Sequence, residues 1–324
     1  MSIAAYIKVI GRGKDGARSL STEQARDLLS QVLDGQVTDL EIGAFCLAMR
    51  IKGESVEELD GFVQASLARC ISLAQAIEAA PQGIVVLPSY NGARKLPNLT
   101  ALLALKLAQQ GIGVLVHGPA SDPTRVTTAQ IFAAAQLPIV QSANELTLAW
   151  RAGQPAFMDI STLCPTLDKL LAVRWTIGLR NPGHTVAKLI DPFSTTQPDQ
   201  VNSIRVVNHT HPEYAHALTA YLTHSQANAL LMRGTEGEPV ADARRQPRFD
   251  MFIAGQKDAA LSKAPEEGVL TALPDLPIDR EAGSTASYIL AVVNQTQALP
   301  ASIAAQVDCL TQALALSGRS GRSG

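Results

Sequence analysis

Basic side chains in this sequence gather where acids are scarce. Residues 169–188 hold Lys169, Arg174, Arg180 and Lys188 and no Asp or Glu. Residues 88–125 hold Arg94, Lys95, Lys106 and Arg125 against Asp122 alone. The whole chain carries a net charge of -2, so the remainder is acidic. A near-neutral chain can still present a basic groove to a polyanion. Flat rings fall in the same stretches: Tyr90 in one, Trp175 and His184 in the other. Spaced cations with interleaved rings suit a phosphate backbone whose bases stack. The candidates for such contacts are Tyr90, Asn91, Arg94, Lys95, Arg125, Lys169, Arg174, Trp175, Arg180, His184 and Lys188. His184 is expected to add charge at low pH.

Other chemistries are poorly served. A loop that cradles phosphate needs several glycines, so that backbone N–H groups can approach the anion. The run from Pro88 to Lys95 has only Gly92. His117 opens a second loop, 117–125, but a lone histidine is more often structural. The histidines at 209, 211, 216 and 224 do not have the spacing of a metal site, and no metal or other cofactor is expected. Four cysteines lie far apart with no CxxC pairing, which argues against a zinc ribbon or disulfide framework and suits a reducing cytoplasm. No run approaches the 18 apolar residues of a membrane span. The first residues lack the apolar core and small-residue cleavage site of a secretory signal. The expected location is cytoplasmic.

The elements that hold these residues are legible from spacing. Ser21 with Gln24, Thr38 with Glu41 and Ser55 with Glu58 form three successive capping boxes. Gly35 and Gly53 are expected to close the first two helices as left-handed residues. Leu28, Leu29, Val32 and Leu33 make one apolar stripe, and Ile42, Phe45, Cys46 and Met49 another. Residues 1–75 therefore read as a helical layer, which often serves as a dimer face. After Pro81 the pattern changes to short apolar runs at 84–87 and 113–116, with a helix between them that stops at Gly111. Further strands are expected at 156–160, 203–207 and 229–232, and helices at 125–135, 165–178, 212–224 and 284–297. In the first of these, Asp122 caps, Pro123 takes the first position and Arg125 lies in the first turn. The alternation predicts an α/β domain with a central, mostly parallel sheet flanked by helices. Ligands on such sheets sit beyond the carboxyl ends of the strands. Residues 254–283 read as a loop excursion and 317–324 as a flexible tail.

Residues 11–62, from Gly11 to Phe62, resemble the N-terminal helices of the anthranilate phosphoribosyltransferases and class II nucleoside phosphorylases, glycosyltransferase family 3. The similarity extends roughly to residue 240 and more loosely to about 316. The strings PSYNGARK, VHG, DPTR, AVRW and GTEGE resemble its YbiB-like, TrpD-like branch. The resemblance implies a small all-helical domain, 1–75 joined by about 165–190, plus a large α/β domain, 76–164 and 190–316. It also implies a homodimer through the helical domain, with an active-site cleft between the domains. The family's diphosphate loop GTGGDG falls on Pro88–Ala93, which keeps little of it. Asn98 matches. The family's KHGN becomes Val116-His117-Gly118-Pro119, and its paired serines fall on Pro123 and Thr124. Arg174, retained, takes the place of the Arg that binds the substrate carboxylate; Gly178 and Arg180 also match. The magnesium-holding Asp-Glu pair falls on Pro239 and Val240, which have no side-chain oxygen.

Magnesium needs carboxylate or water oxygens, and charge stabilisation of the leaving group is the main catalytic contribution. Only Glu236 and Glu238 lie near enough to substitute. The resemblance to this branch therefore implies a non-catalytic protein that binds nucleic acid with weak sequence specificity. Asn98, His117, Gly118 and Thr124 would line a vestigial active-site cleft, and Arg233 would lie near it as a further nucleic-acid contact. Two other readings stand beside it: an active phosphoribosyltransferase using phosphoribosyl diphosphate, and a regulatory homodimer that binds another protein.

Overall fold

Three helices near the start of the chain form as their hydroxyl-headed boxes predict. A computed structural model describes residues 2–194, 201–268 and 273–320. Helices Thr22–Leu33, Asp39–Lys52 and Val56–Leu67 each open on a complete capping box, in which side chain and backbone exchange hydrogen bonds at both positions. The stripe residues Leu28, Leu29, Val32, Leu33, Phe45, Cys46 and Met49 are buried, and Ile42 is half-buried. Gly35 has a positive φ of 66°. Gly53 also has a positive φ, but its ψ of 157° takes the chain out extended rather than left-handed-helical as expected.

The chain divides into two compact units, residues 1–71 with 160–190 and residues 72–159 with 191–324. In the helical unit, Thr22–Leu33 and Val56–Leu67 lie against each other at Gly61. A Cβ there would stand 2.3 Å from the Thr22 carbonyl oxygen and 2.8 Å from the Ala25 methyl, so only glycine permits the approach. Glu58, wholly buried, ties this layer together. Its carboxylate accepts from the backbone N–H of Leu20 and Ser55 and pairs with Lys52 at 2.6 Å. Helix Pro165–Ile177 completes the unit, ending at left-handed Gly178.

The second unit is built on a seven-stranded sheet: β1 Ile84–Pro88, β2 Gly113–Gly118, β3 Ala156–Asp159, β4 Ser203–His209, β5 Ala229–Arg233, β6 Phe249–Ile253 and β7 Gln256–Lys263. The spatial order is β3-β2-β1-β4-β5-β6-β7. The first five strands pair in parallel and the last two antiparallel. Four of the five parallel strands are apolar almost throughout because both faces are covered. Helices Thr100–Ala108, Thr128–Ala134, Ala282–Val293 and Ala301–Ser320 contribute to one buried cluster with the sheet. Strand order reverses between β1 and β4, which places the loops after neighbouring strands together at the carboxyl edge. Among the described residues no helix is long and apolar enough to cross a membrane.

Four expectations are corrected. Residues 254–283 are not all loop: β7 occupies 256–263, an exposed polar edge strand with no apolar run to betray it. The helix expected at 125–135 begins at Thr128, where Thr127 and Gln130 make a capping box; Asp122 instead caps a tight turn by accepting from the N–H and hydroxyl of Thr124. Helices Ala143–Arg151 and Ala301–Ser320 were not foreseen. The latter includes residues 317–320 of the expected tail, and residues 321–324 lie outside the described residues.

Candidate functional site

The carboxyl edge of the sheet is closed by a carboxylate. β1 ends at Pro88 and leads into the loop 89–99; β5 ends at Arg233 and leads into a turn that carries Glu236 and Glu238. Glu238 is almost fully buried. Its Oε1 accepts from the backbone N–H groups of Asn91 and Gly92, both at 2.7 Å. Its Oε2 accepts from the Ser89 hydroxyl, from Asn98 Nδ2 at 3.1 Å and from Thr128 Oγ1 at 3.2 Å. Five donors thus converge on one side chain. Charged acceptors make the stronger hydrogen bonds, and buried donors are costly to leave unmatched.

Glu236 fills the second half of the same loop. One of its oxygens accepts from the N–H groups of Arg94, Lys95 and Leu96 at 2.7, 2.9 and 3.2 Å. Partial burial pushes its carboxyl upward, yet the Lys95, Arg94 and Leu96 amides and the Arg125 charge outweigh this and hold it below the usual range. Asn91 Nδ2 donates to the Glu236 carbonyl at 2.8 Å. Backbone amides arranged to meet an anion form a cradle, and here the chain supplies the anion itself. Glu236 and Glu238 do not stand in for magnesium ligands: their oxygens face N–H and O–H donors, which repel a cation. Val240 is buried, and its carbonyl accepts from the Thr235 N–H and hydroxyl. Among the described residues no three His, Cys, Asp or Glu side chains gather as a metal site would require. The residues present do not fit magnesium.

The sequence-derived residues divide between the two units. In the α/β unit, Arg94 and Lys95 are exposed and Arg125 is half-buried beside Glu236. Arg233 is exposed at the end of β5. Arg280, which the sequence reading missed, donates from Nη1 to the Arg94 carbonyl at 2.7 Å. Tyr90 and Asn91 are corrected: both are buried, and the Tyr90 hydroxyl bonds His117 Nδ1 at 2.8 Å, so this ring has no open face for a base. His117 itself is fully buried. Gly118 is required by packing, since a Cβ there would lie 1.9 Å from the Ser89 carbonyl oxygen. Asn98 is held by Thr100 and Glu238, while Thr124 is exposed in its turn.

In the helical unit, Lys169 and Trp175 are exposed, and Arg174 lies over the Trp175 ring at 4.0 Å. Trp175 keeps 55% of its surface, so its ring stays available for stacking. Arg180 and Lys188 are half-buried. His184 is corrected. It is buried, and burial, followed by the charges of Arg180 and Arg174, pushes its pKa down to about 3. It stays neutral where a free histidine would charge.

Comparison with known proteins settles the lineage. Residues 5–70 match the helical bundle domain of the glycosyl transferase family. The uncharacterised protein YbiB of Escherichia coli K12 is 37% identical over 309 residues, covering 95% of this chain and 93% of that one. The chain belongs to the YbiB-like branch of glycosyltransferase family 3. Within that family, an anthranilate phosphoribosyltransferase of Methylorubrum extorquens is 28% identical over 67% of the chain and 62% of its own length. The anthranilate phosphoribosyltransferase of Thermus thermophilus superposes with a TM-score of 0.67 at 16% identity, covering 97% of this chain and 93% of that one. That of Saccharomyces cerevisiae in complex with PRPP and Mg gives 0.63 at 12% identity, covering 98% and 96%. These two show the glycosyltransferase family 3 fold.

Two outcomes test this geometry. Replacing Glu238 with Ala orphans buried donors at about 1–3 kcal/mol each. Urea denaturation of Glu238→Ala is therefore expected to show a loss of about 3 kcal/mol or more; a loss within the ~0.5 kcal/mol of an ordinary surface change would refute the closure. An NMR titration is expected to show the His184 ring neutral from pH 7 down to about pH 4. The unfolded chain takes up that proton near pH 6.5 and the folded chain does not. Stability from this residue therefore falls as pH drops from 6.5 toward 3, and His184→Asn should remove that part of the slope.

Proposed function

We propose that this chain binds nucleic acid, single-stranded or duplex, with weak sequence specificity, and transfers no phosphoribosyl group. The observation that carries this reading is the set of surface cations left around a cradle already filled by Glu236 and Glu238. A filled cradle leaves no amide groups to stabilise a diphosphate leaving group, and that stabilisation is what the transfer chemistry needs. Arg94, Lys95, Arg125 and Arg233 on one unit and Lys169, Arg174, Arg180 and Lys188 on the other supply spaced positive charge. Such charge gains affinity by releasing counterions from a phosphate backbone. Trp175, with Arg174 against it, offers one stacking platform. No motif in the sequence resembles a recognition helix or a zinc finger, so on this reading phosphate contacts dominate.

Self-association through the helical unit belongs to the same proposal. Leu40, Leu47 and Ile51 recur at seven and four residues on helix Asp39–Lys52, which sets them in one stripe. They are 84%, 49% and 56% exposed. An apolar stripe of this kind marks an interaction surface.

Anisotropy of labelled single-stranded DNA across a salt series tests the first part. Binding should weaken steeply with salt. In Arg94→Glu/Lys95→Glu the slope of log K against log salt should fall by about 1.4, two contacts at about 0.7 each. Both backbone N–H groups remain to hold Glu236, so the cradle survives the substitution. Absence of binding at low salt would sink the reading, and phosphoribosyl diphosphate with Mg²⁺ would then be the next ligand to assay. For the second part, light scattering should give a dimer mass for the parent and a monomer mass for Leu47→Asp/Ile51→Asp; a parent monomer at micromolar concentration counts against it.

A further inference from the structure

A cavity of about 720 Å³ opens beside the β5 turn, within the α/β unit. Its lining includes Arg233, Arg244, Arg245 and Arg248 together with His211. Four guanidinium groups on one cavity invite an explanation, because like charges repel unless something anionic is present. Three acids also line it, Glu236, Asp242 and Glu266. All three are already engaged, Glu266 by accepting from the Gln246 backbone N–H at 3.3 Å. Glu236 faces the amides of the 94–96 loop, and Asp242 is held by Arg244 through both oxygens at 2.9 and 2.7 Å. Asp242 is partly buried, which raises its carboxyl, but Arg244 and then Arg233 more than compensate and hold it low. Arg248 is anchored to Asp250 at 3.0 Å.

Arg245 is the informative residue. One Nη donates to the Gly268 carbonyl at 2.6 Å, which fixes the side chain. Its Nε is buried, without a hydrogen-bond partner among the described residues. Its other Nη makes no hydrogen bond among the described residues, so that donor remains to meet an anion in the cavity. Arg233 adds an exposed charge at the rim, held to Asp242 by attraction rather than by a hydrogen bond.

We infer that this cavity binds a nucleotide through its phosphomonoester, with Arg245 and Arg233 as the principal phosphate contacts. Arginine forks match phosphate oxygens in pairs, and a dianionic monoester offers three of them. The volume lies within the range of small-molecule pockets, about 300–1,000 Å³, and far exceeds what one phosphate fills. Leu96, Pro247 and Pro265 give apolar wall for a base and sugar, and the guanidinium planes give a stacking surface. The ligand has two possible sources, a free nucleotide or the phosphorylated 5′ end of a strand. The second source rests on the nucleic-acid proposal, whereas the first does not.

Calorimetry of the full chain with adenosine 5′-monophosphate and with adenosine separates phosphate recognition from base binding. The monophosphate is expected to bind and adenosine to bind at least tenfold more weakly. Arg245→Gln and, separately, the exposed Arg233→Gln should each weaken the monophosphate at least tenfold; the second variant guards against a folding defect in the first. Strands labelled at the 3′ end, with and without a 5′-phosphate, identify the source. A preference of fivefold or more for the phosphorylated strand, lost in Arg245→Gln, assigns the strand end; monophosphate binding without that preference assigns the free nucleotide. Equal binding of monophosphate and adenosine overturns the inference, as does a monophosphate affinity unchanged in both variants. So does the absence of both monophosphate binding and the 5′-phosphate preference. Loss of strand binding in Arg94→Glu/Lys95→Glu with the monophosphate still bound would leave the cavity assignment intact, while a parent that binds the monophosphate and no strand would defeat only the nucleic-acid proposal.

Discussion

Everything at the carboxyl edge of the sheet depends on where the Glu238 carboxylate sits. Five donors from two separate places in the sequence, four in the loop 89–99 and one at Thr128, meet on two oxygens. A carboxylate can accept about four hydrogen bonds comfortably, so its capacity is saturated. The loop after β1 is therefore shaped by an internal anion. Glu236 repeats the device three residues further along the same loop. The family's solved enzymes share the fold, and the fold alone does not carry their chemistry.

Placement of cations follows from that closure. With the cradle amides already occupied, Arg94, Lys95 and Arg125 have no internal phosphate to hold, and two of them point their charge to solvent. Arg280 stitches the 94 and 124 loops by their carbonyls, adding a cation that also braces the backbone. In the helical unit burial, with the charges of Arg180 and Arg174 adding to it, keeps His184 neutral.

How much of this could be read from the residues differs by level. Capping boxes at Ser21, Thr38 and Ser55 were legible because the motif is local. So were five strands of the parallel sheet, because burial on both faces leaves continuous apolar runs. β7 was hidden because an edge strand facing water needs no apolar residues: Gln256, Lys257 and Asp258 read as loop. Tyr90 was misplaced because a tyrosine in a polar loop looks exposed, and only its partner His117, 27 residues away, takes it inside. The role of Glu238 was hidden for the same reason, since its donors lie up to 149 residues distant. A signal did exist: a loop stripped of glycines and acid, paired with a strand end that carries two glutamates. The arginines at 244, 245 and 248 were equally visible as a run, but their meaning needed the cavity.

The filled cradle also bears on redesign. A substitution that placed acids at Pro239 and Val240 would gain no metal site while Glu238 keeps the neighbouring donors. Removing Glu238 first would strand its donors and weaken the fold before any ligand arrived to replace it. Glu238 thus couples the shape of this edge to folding: any change that frees the cradle amides for an outside anion also strands buried donors, so the two properties cannot be altered independently.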